Sequence, residues 1–270
     1  MSTAIAKNLM AEMKLLGMMS AFDQTVSDAT RDQTSYTEFL DTLLQAEFDH
    51  RQERKTGYRI KAARFTLRPS FEDFDFTASR SISKAQVKEI YSLNWLKEGR
   101  PLLLIGQTGV GKTFIAQAVG LHACASGYSV LYTTVTTWLE NLALARSSGT
   151  YLRYRDKLAK PDLIIFDDMG MRKLSSIEAQ DLCEILEERS IGKSVAFTTQ
   201  LPLEHWAEVT LPGRRSTPSS SCLTCGSLGS MSVTQVLLTG SAGNCYLISI
   251  RSVIATAKPS ILVRHRIIWQ

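Results

Sequence analysis

Four consecutive apolar residues, Leu102-Leu103-Leu104-Ile105, run directly into Gly106-Gln107-Thr108-Gly109-Val110-Gly111-Lys112-Thr113, and a helix-compatible stretch opens at Phe114. A buried strand, a glycine loop and a helix in that order restrict the chain to a layered α/β fold, because the helix returns the chain to the sheet as a parallel crossover. Gly106 and Gly111 let the backbone turn without a Cβ penalty, so that successive N–H groups point inward and the positive end of the helix dipole adds to them. Such a cradle suits phosphate oxygens. Lys112 is expected to reach the β- and γ-phosphates of a nucleoside triphosphate, and the Thr113 hydroxyl is offered to Mg²⁺.

A second part of the same chemistry lies downstream. Leu163-Ile164-Ile165-Phe166 has the character of a buried strand and ends in Asp167-Asp168, which places two carboxylates at the strand's C-terminal edge, where open α/β sheets bind ligands. Asp167 is expected to hold Mg²⁺ through water or with Thr113, and Asp168 to orient or deprotonate an attacking water. Ser194-Val195-Ala196-Phe197-Thr198-Thr199 is a further strand, and Thr199 or Gln200 at its end is the candidate γ-phosphate sensor. Strands near 102–105, 129–133, 162–166 and 194–199 alternate with helical stretches at 112–125, 136–158 and 175–190. That alternation describes a mostly parallel sheet flanked by helices.

The first region reads differently. Ile5, Leu9, Met13, Leu16 and Met19 recur at helical spacing, and Ser35-Tyr36-Thr37-Glu38 is a capping box opening a helix with Phe39, Leu40, Leu43, Leu44 and Phe48 on one face. These positions are expected to be core. Arg51, Arg54, Lys55, Arg59, Lys61 and Arg64 continue the same helix, several of them at three- or four-residue steps. Such a stripe either grips nucleic-acid phosphates or is a solvated face balanced by Glu47, Asp49 and Glu53. Proline and alternating acids and aromatics in Arg68-Pro69-Ser70-Phe71-Glu72-Asp73-Phe74-Asp75-Phe76 then break the periodicity. The expected organisation is a helical domain over 1–68, a linker over 69–82, an α/β core over 83–209 and a Ser/Thr-rich basic tail over 210–270.

Charge refines that division. No Asp or Glu follows Glu208, whereas Arg214, Arg215, Arg251, Lys258, Arg264 and Arg266 do, so the chain's net charge of +5 belongs to its tail. Overall basicity therefore does not argue for nucleic-acid binding by the body, and only local patches do. Charges at Lys7, Glu12 and Lys14 interrupt the Met/Leu-rich start, so no signal peptide is read there, and no apolar run approaches membrane-spanning length. Cys222-x-x-Cys225 lacks the second pair or the histidines of a zinc site, and the five cysteines form no disulfide framework. The expectation is a reduced, cytoplasmic protein that avoids the membrane.

Four segments together resemble a known family: Ala62-Ala63-Arg64-Phe65 through Phe76, the loop Gly106–Thr113, Ile164-Ile165-Phe166-Asp167-Asp168-Met169-Gly170, and Thr198-Thr199-Gln200-Leu201-Pro202-Leu203-Glu204-His205-Trp206. Over about residues 1–209 the chain is similar to the IstB family, helper ATPases of insertion-sequence transposition akin to DnaC-type helicase loaders. The resemblance implies a P-loop AAA+ sheet, ATP and Mg²⁺ as ligands, duplex DNA and a transposase as partners, and homo-oligomers formed with ATP and DNA. It assigns nucleotide binding to Gly106 through Thr113, metal support to Asp167, hydrolysis to Asp168, and DNA or subunit contacts to the N-terminal helical domain.

After Val209 the family pattern stops. The Gly-Asp/Asn-Pro turn, the Asp-Arg-Leu helix carrying an arginine finger, and the closing strand are replaced by Leu211-Pro212-Gly213-Arg214-Arg215 and an acid-free stretch. Translation out of the ancestral frame from about residue 210 accounts for both the lost pattern and the missing carboxylates. An acquired basic tail that binds nucleic acid is the alternative. Helper ATPase, helicase loader and degenerate nucleotide- or DNA-binding remnant stay open at this point, with hydrolysis expected to be weak in a chain lacking the finger.

Overall fold

A computed structural model describes residues 2–70, 84–201, 206 and 234–238. Phe71, Phe74 and Phe76 of the aromatic segment, Arg214 and Arg215, the Cys222/Cys225 pair, and the apolar runs at 247–250 and 261–263 lie outside the described residues.

The N-terminal region is three helices: α1 (Ser2–Glu12), α2 (Leu16–Asp32) and α3 (Tyr36–Ala63). Ser35 and Glu38 form the expected reciprocal cap at the start of α3, satisfying two N–H groups that the helix itself leaves open. Gly17 lets α2 lie against α3, since a Cβ there would fall 2.5 Å from the Ala46 carbonyl oxygen. The buried Glu47 carboxylate locks the contact by accepting from Gly17 N at 2.7 Å and Met18 N at 3.2 Å. It thereby caps α2 from a neighbouring helix.

The expected apolar faces are only partly covered. Met18, Phe22 and Leu43 form the core of this region, with Phe39 and Met10 packed beside it. Ile5, Leu9, Met13, Leu40, Leu44 and Phe48 are exposed instead. Helical spacing identifies an apolar face but not its width of coverage, and α2 closes over just one edge of it. The first run is also two helices rather than one, broken at Lys14, which has a φ of 57°.

α3 does not end with the small domain. Its last turn buries Ala63 completely, and Ile60 and Phe65 pack against the main core. Phe65 sits over Gly120, where a Cβ would come within 2.6 Å of the ring.

The remaining chain builds the sheet. α4 (Lys84–Tyr91) and α5 (Asn94–Lys97) lead to β1 (Leu102–Gly106), followed by α6 (Lys112–Ala125), β2 (Val130–Thr134), α7 (Val135–Ser147), α8 (Tyr151–Ala159), β3 (Leu163–Met169), α9 (Ser176–Arg189) and β4 (Ser194–Thr199). The expected helical stretch 136–158 is split into α7 and α8 at Gly149, whose φ of 69° suits glycine. Strand order is β2-β3-β4-β1-β5, with every pair parallel. Alternate residues of β1 enter opposite cores, Leu102 and Leu104 on one face of the sheet and Leu103 and Ile105 on the other.

The fifth strand corrects the reading of the tail. Residues Thr234–Leu238 form β5 and pair with Leu102 to Gly106 along the free edge of β1. A closing strand is therefore present in the stretch where no family pattern was recoverable. The exposed N–H and C=O row of β1 accepts any extended segment able to supply a ladder, whatever its family ancestry.

Candidate functional site

β1 lies between β4 and β5 while the chain crosses from β1 to β2 at the far edge, so the C-terminal end of β1 is a topological switch point. Gly106 through Thr113 occupies it. Gly109 and Gly111 adopt φ of 83° and 89°, and Gly111 is the N-cap of α6 without any side-chain cap. The first-turn amides of α6 are thus not taken up by a capping side chain, which is the arrangement that receives anionic oxygens. Gln107, Thr108 and Gly109 are exposed, and Val110 and Gly111 are half-buried. Lys112 is buried and donates from Nζ to the Gln107 carbonyl at 2.7 Å. Burial lowers its pKa, against the opposing pull of Asp168 and Asp167.

Asp167 meets this loop directly. Thr113 Oγ1 donates to Asp167 Oδ1 at 3.2 Å across 54 residues of sequence. The same carboxylate accepts from Tyr132 Oη on Oδ2 at 2.6 Å and from Thr198 Oγ1 on Oδ1. Asp168 stands beside it because of a local fault in the ladder. The β3–β4 register passes from Phe166↔Phe197 to Met169↔Thr199, so Asp167 and Asp168 together oppose Thr198. A regular strand sends neighbouring side chains to opposite faces; here a bulge, with Asp168 at a φ of 60°, places both acids near Lys112. Thr198 bridges the bulge, since Asp168 N donates to its Oγ1 at 2.9 Å. Asp168 is exposed, and its pKa is raised by desolvation and by the Asp167 charge, with Lys112 opposing.

Thr199 is placed differently from the expectation. Its hydroxyl donates to the Met169 carbonyl at 2.7 Å and accepts from Leu201 N at 3.0 Å, on the opposite side of β4 from Asp167. The residue on β4 that reaches the acids is Thr198. Strand alternation permits only one of two adjacent threonines to face the loop, and the sequence does not state the parity. Gln200 is exposed and contacts Met171. Tyr132 was also missed, because a tyrosine within Val130-Leu131-Tyr132 reads as core. It is buried, and burial together with its bond to Asp167 raises the phenol's pKa.

The basic stripe divides into unlike members. Arg51 pairs with Glu47 at 2.6 Å, and Arg59 is half-buried beside Cys124. Arg54, Lys55, Lys61 and Arg64 are exposed and make no ion pair among the described residues. Arg64, at the end of α3, joins Thr66, Tyr132, Thr134, Asn141 and Lys157 around a cleft of about 340 Å³ between α3, β2, α7 and α8.

The residues fit a nucleotide and its metal. Hard oxygen donors from Thr113 and Asp167 stand together beside an amide cradle and a lysine, as Mg²⁺ bound jointly by a protein and phosphates requires. Among the described residues no helix is long and apolar enough to cross a membrane.

Comparison with known proteins agrees with this geometry. The family described as IstB-like ATP binding protein matches residues 8–213. An insertion-sequence ATP-binding protein of Sinorhizobium fredii is 36% identical over 197 residues, covering 73% of this chain and 80% of the relative. Another, of Pseudomonas fluorescens, is 32% identical and covers 77% and 91%. In fold, the chain is similar to a replication initiator DnaA bound to AMPPCP and single-stranded DNA, with a TM-score of 0.52 at 18% identity over 67% of this chain and 52% of that one. DnaI gives 0.51 at 18% identity over 64% and 92%.

Proposed function

The chain belongs to the IstB-like ATP-binding family, and on that premise we propose that it is a Mg²⁺-dependent ATPase that acts on duplex DNA as the helper of an insertion-sequence transposase. The observation that carries the catalytic part is the bond between Thr113 and Asp167, which joins the phosphate cradle to the acid-bearing strand. Amides of Gly106 to Gly111 and Lys112 bind the phosphates, and Lys112 leaves the Gln107 carbonyl to do so. Thr113 and Asp167 would hold Mg²⁺, which would supply charge neutralisation at the phosphate oxygens. Asp168, exposed beside Lys112, orients the water and accepts its proton. Thr198 fixes the spacing of the two acids through its contacts to both.

Arg54, Lys55, Lys61 and Arg64 supply the DNA-facing charge, and each phosphate contact adds salt-sensitive, sequence-independent affinity. The exposed cations at the end of α3, unpaired among the described residues, support this reading. ATP and DNA assemble the chain into homo-oligomers in the cytoplasm. Turnover is weak, because the family match ends at residue 213, before the element that supplies the arginine finger.

ATP turnover and fluorescent-nucleotide binding, each with and without duplex DNA, test the proposal. Nucleotide binding, salt-dependent DNA binding and slow hydrolysis lost in Asp167→Asn are expected. Absence of nucleotide binding sinks it. Rapid turnover abolished by Arg214→Ala or Arg215→Ala sinks the account of the tail.

A further inference from the structure

A row of polar side chains leaves the site and ends outside it. Tyr132 Oη donates to Asp167 Oδ2 at 2.6 Å, and Thr66 lines the same cleft as this tyrosine, with its hydroxyl near the phenol. Thr66 Oγ1 in turn accepts from Gln117 Nε2 at 2.8 Å, which fixes where the threonine hydroxyl stands. Gln117, fully buried on α6, also receives Thr66 N at 3.0 Å and Leu67 N at 2.8 Å on Oε1. Gln117 Nε2 and Tyr132 Oη both donate in the direction of Asp167. The far end is the segment by which the chain leaves the basic helix α3, held down by Phe65 over Gly120.

We propose that Tyr132 is a positioning residue for Asp167, set in turn by Thr66 and Gln117, so that the seating of the α3 exit segment governs how the metal-binding acid is presented. The inference rests on the nucleotide reading above. A carboxylate bound only through Oδ1 rotates about its last torsion, since terminal sp³–sp² torsions are broad. Tyr132 removes that freedom by tying Oδ2, leaving Oδ1 toward Thr113. The Thr66 hydroxyl, placed near the phenol by its bond from Gln117, favours the phenol rotamer that donates to Asp167. Unseating α3 breaks the Gln117 and Thr66 contacts first, and Asp167 loses its fixed orientation without any change in the loop itself. The N-terminal helices and the metal site are thereby coupled through four named side chains.

The test uses the full chain and a fluorescent N-methylanthraniloyl ATP, titrated with Mg²⁺ and in its absence. Tyr132→Phe keeps the ring in the core and removes only the hydroxyl. It is expected to raise the Mg²⁺ concentration needed for half-saturation by about 10-fold, with Mg²⁺-free nucleotide affinity and melting temperature unchanged. Thr66→Val is expected to act in the same direction by a smaller factor, and Thr66→Ser, which keeps the hydroxyl, to restore the wild-type response. If Tyr132→Phe and Thr66→Val both leave the Mg²⁺ response within about two-fold of wild type, the inference is wrong and the nucleotide reading survives. If Thr66→Ser fails to restore what Thr66→Val loses, or if Mg²⁺-free affinity falls equally, the role is packing and the inference is again wrong. A wild-type chain with no Mg²⁺-dependent nucleotide binding overturns the nucleotide reading and this inference together.

Discussion

The two rims of the sheet both gather polar side chains, yet they treat them in opposite ways. At the N-terminal rim Arg189 is 1% exposed and donates to the carbonyls of Leu158, Pro161, Asp162 and Ser194 at 2.7 to 3.2 Å. Nearby, Ser129 and Asp162 exchange bonds across the start of β2 and β3. The partners of Arg189 are backbone carbonyls, held in place by the elements that carry them. At the C-terminal rim Lys112 rests on one carbonyl, two acids share a bulge, and Asp168 is exposed with its ionised form disfavoured. The N-terminal rim ties its guanidinium to several carbonyls, with Nε alone left without a partner, whereas the opposite rim holds a lysine and two acids close together beside an amide cradle.

That contrast predicts which substitutions damage chemistry and which damage the fold. Lys112→Met has the largest effect, a loss of turnover on the order of 1,000-fold, read in single-turnover assays with labelled ATP. Its melting temperature is expected to be equal to or above that of wild type, because burial disfavours the lysine's charged form. A variant that instead melts well below wild type breaks the comparison.

Asp168→Asn comes next, with turnover lowered about 100-fold. An acid whose pKa rises on folding makes the folded state bind more protons than the unfolded one, so its contribution to stability falls as pH rises above about 4. Removing the acid removes that term. Thermal melts across mildly acidic to neutral pH should therefore show Asp168→Asn at least as stable as wild type at pH 7, with a flatter profile. In wild type, turnover rises as pH passes upward through the raised pKa and Asp168 ionises.

At the opposite rim Arg189→Met leaves several buried carbonyls without a donor. A cost of about 3–5 kcal/mol, visible as a melting temperature lower by roughly 10 °C, is expected, with nucleotide affinity unchanged while the protein remains folded. Equal stability would show that water replaces the guanidinium there. The smallest effect belongs to the edge. Val236→Pro puts a residue poorly suited to strands opposite Leu104 and should cost about 1 kcal/mol. Melting curves read the change, and an unaltered midpoint would break the pairing of β5 with β1.

Local chemistry accounts for much of what was legible beforehand. Strands β1 to β4, the phosphate loop, the α3 cap and the Asp167/Asp168 pair all announce themselves through short-range patterns: apolar runs, glycine spacing, a Ser-x-x-Glu box. The apolar faces of α1 and α3 were over-read for the same reason, since periodicity marks a face while coverage depends on how many helices arrive. Thr199 and Thr198 differ only in parity along β4, and the pairing of Ile165 with Ala196 puts Thr198 on the face of Asp167.

The sequence by itself determined an amide cradle after β1, a lysine and threonine at the head of α6, and two acids at the end of β3, because each requirement is met within a few neighbouring residues. Tertiary structure alone decided that Thr198 and Tyr132 close around Asp167, that α3 docks through Phe65 onto Gly120, and that residues 234–238 complete the sheet. These are contacts between segments dozens of residues apart. They depend on strand register and on which backbone edge is left unpaired, and both are fixed only when the layers pack.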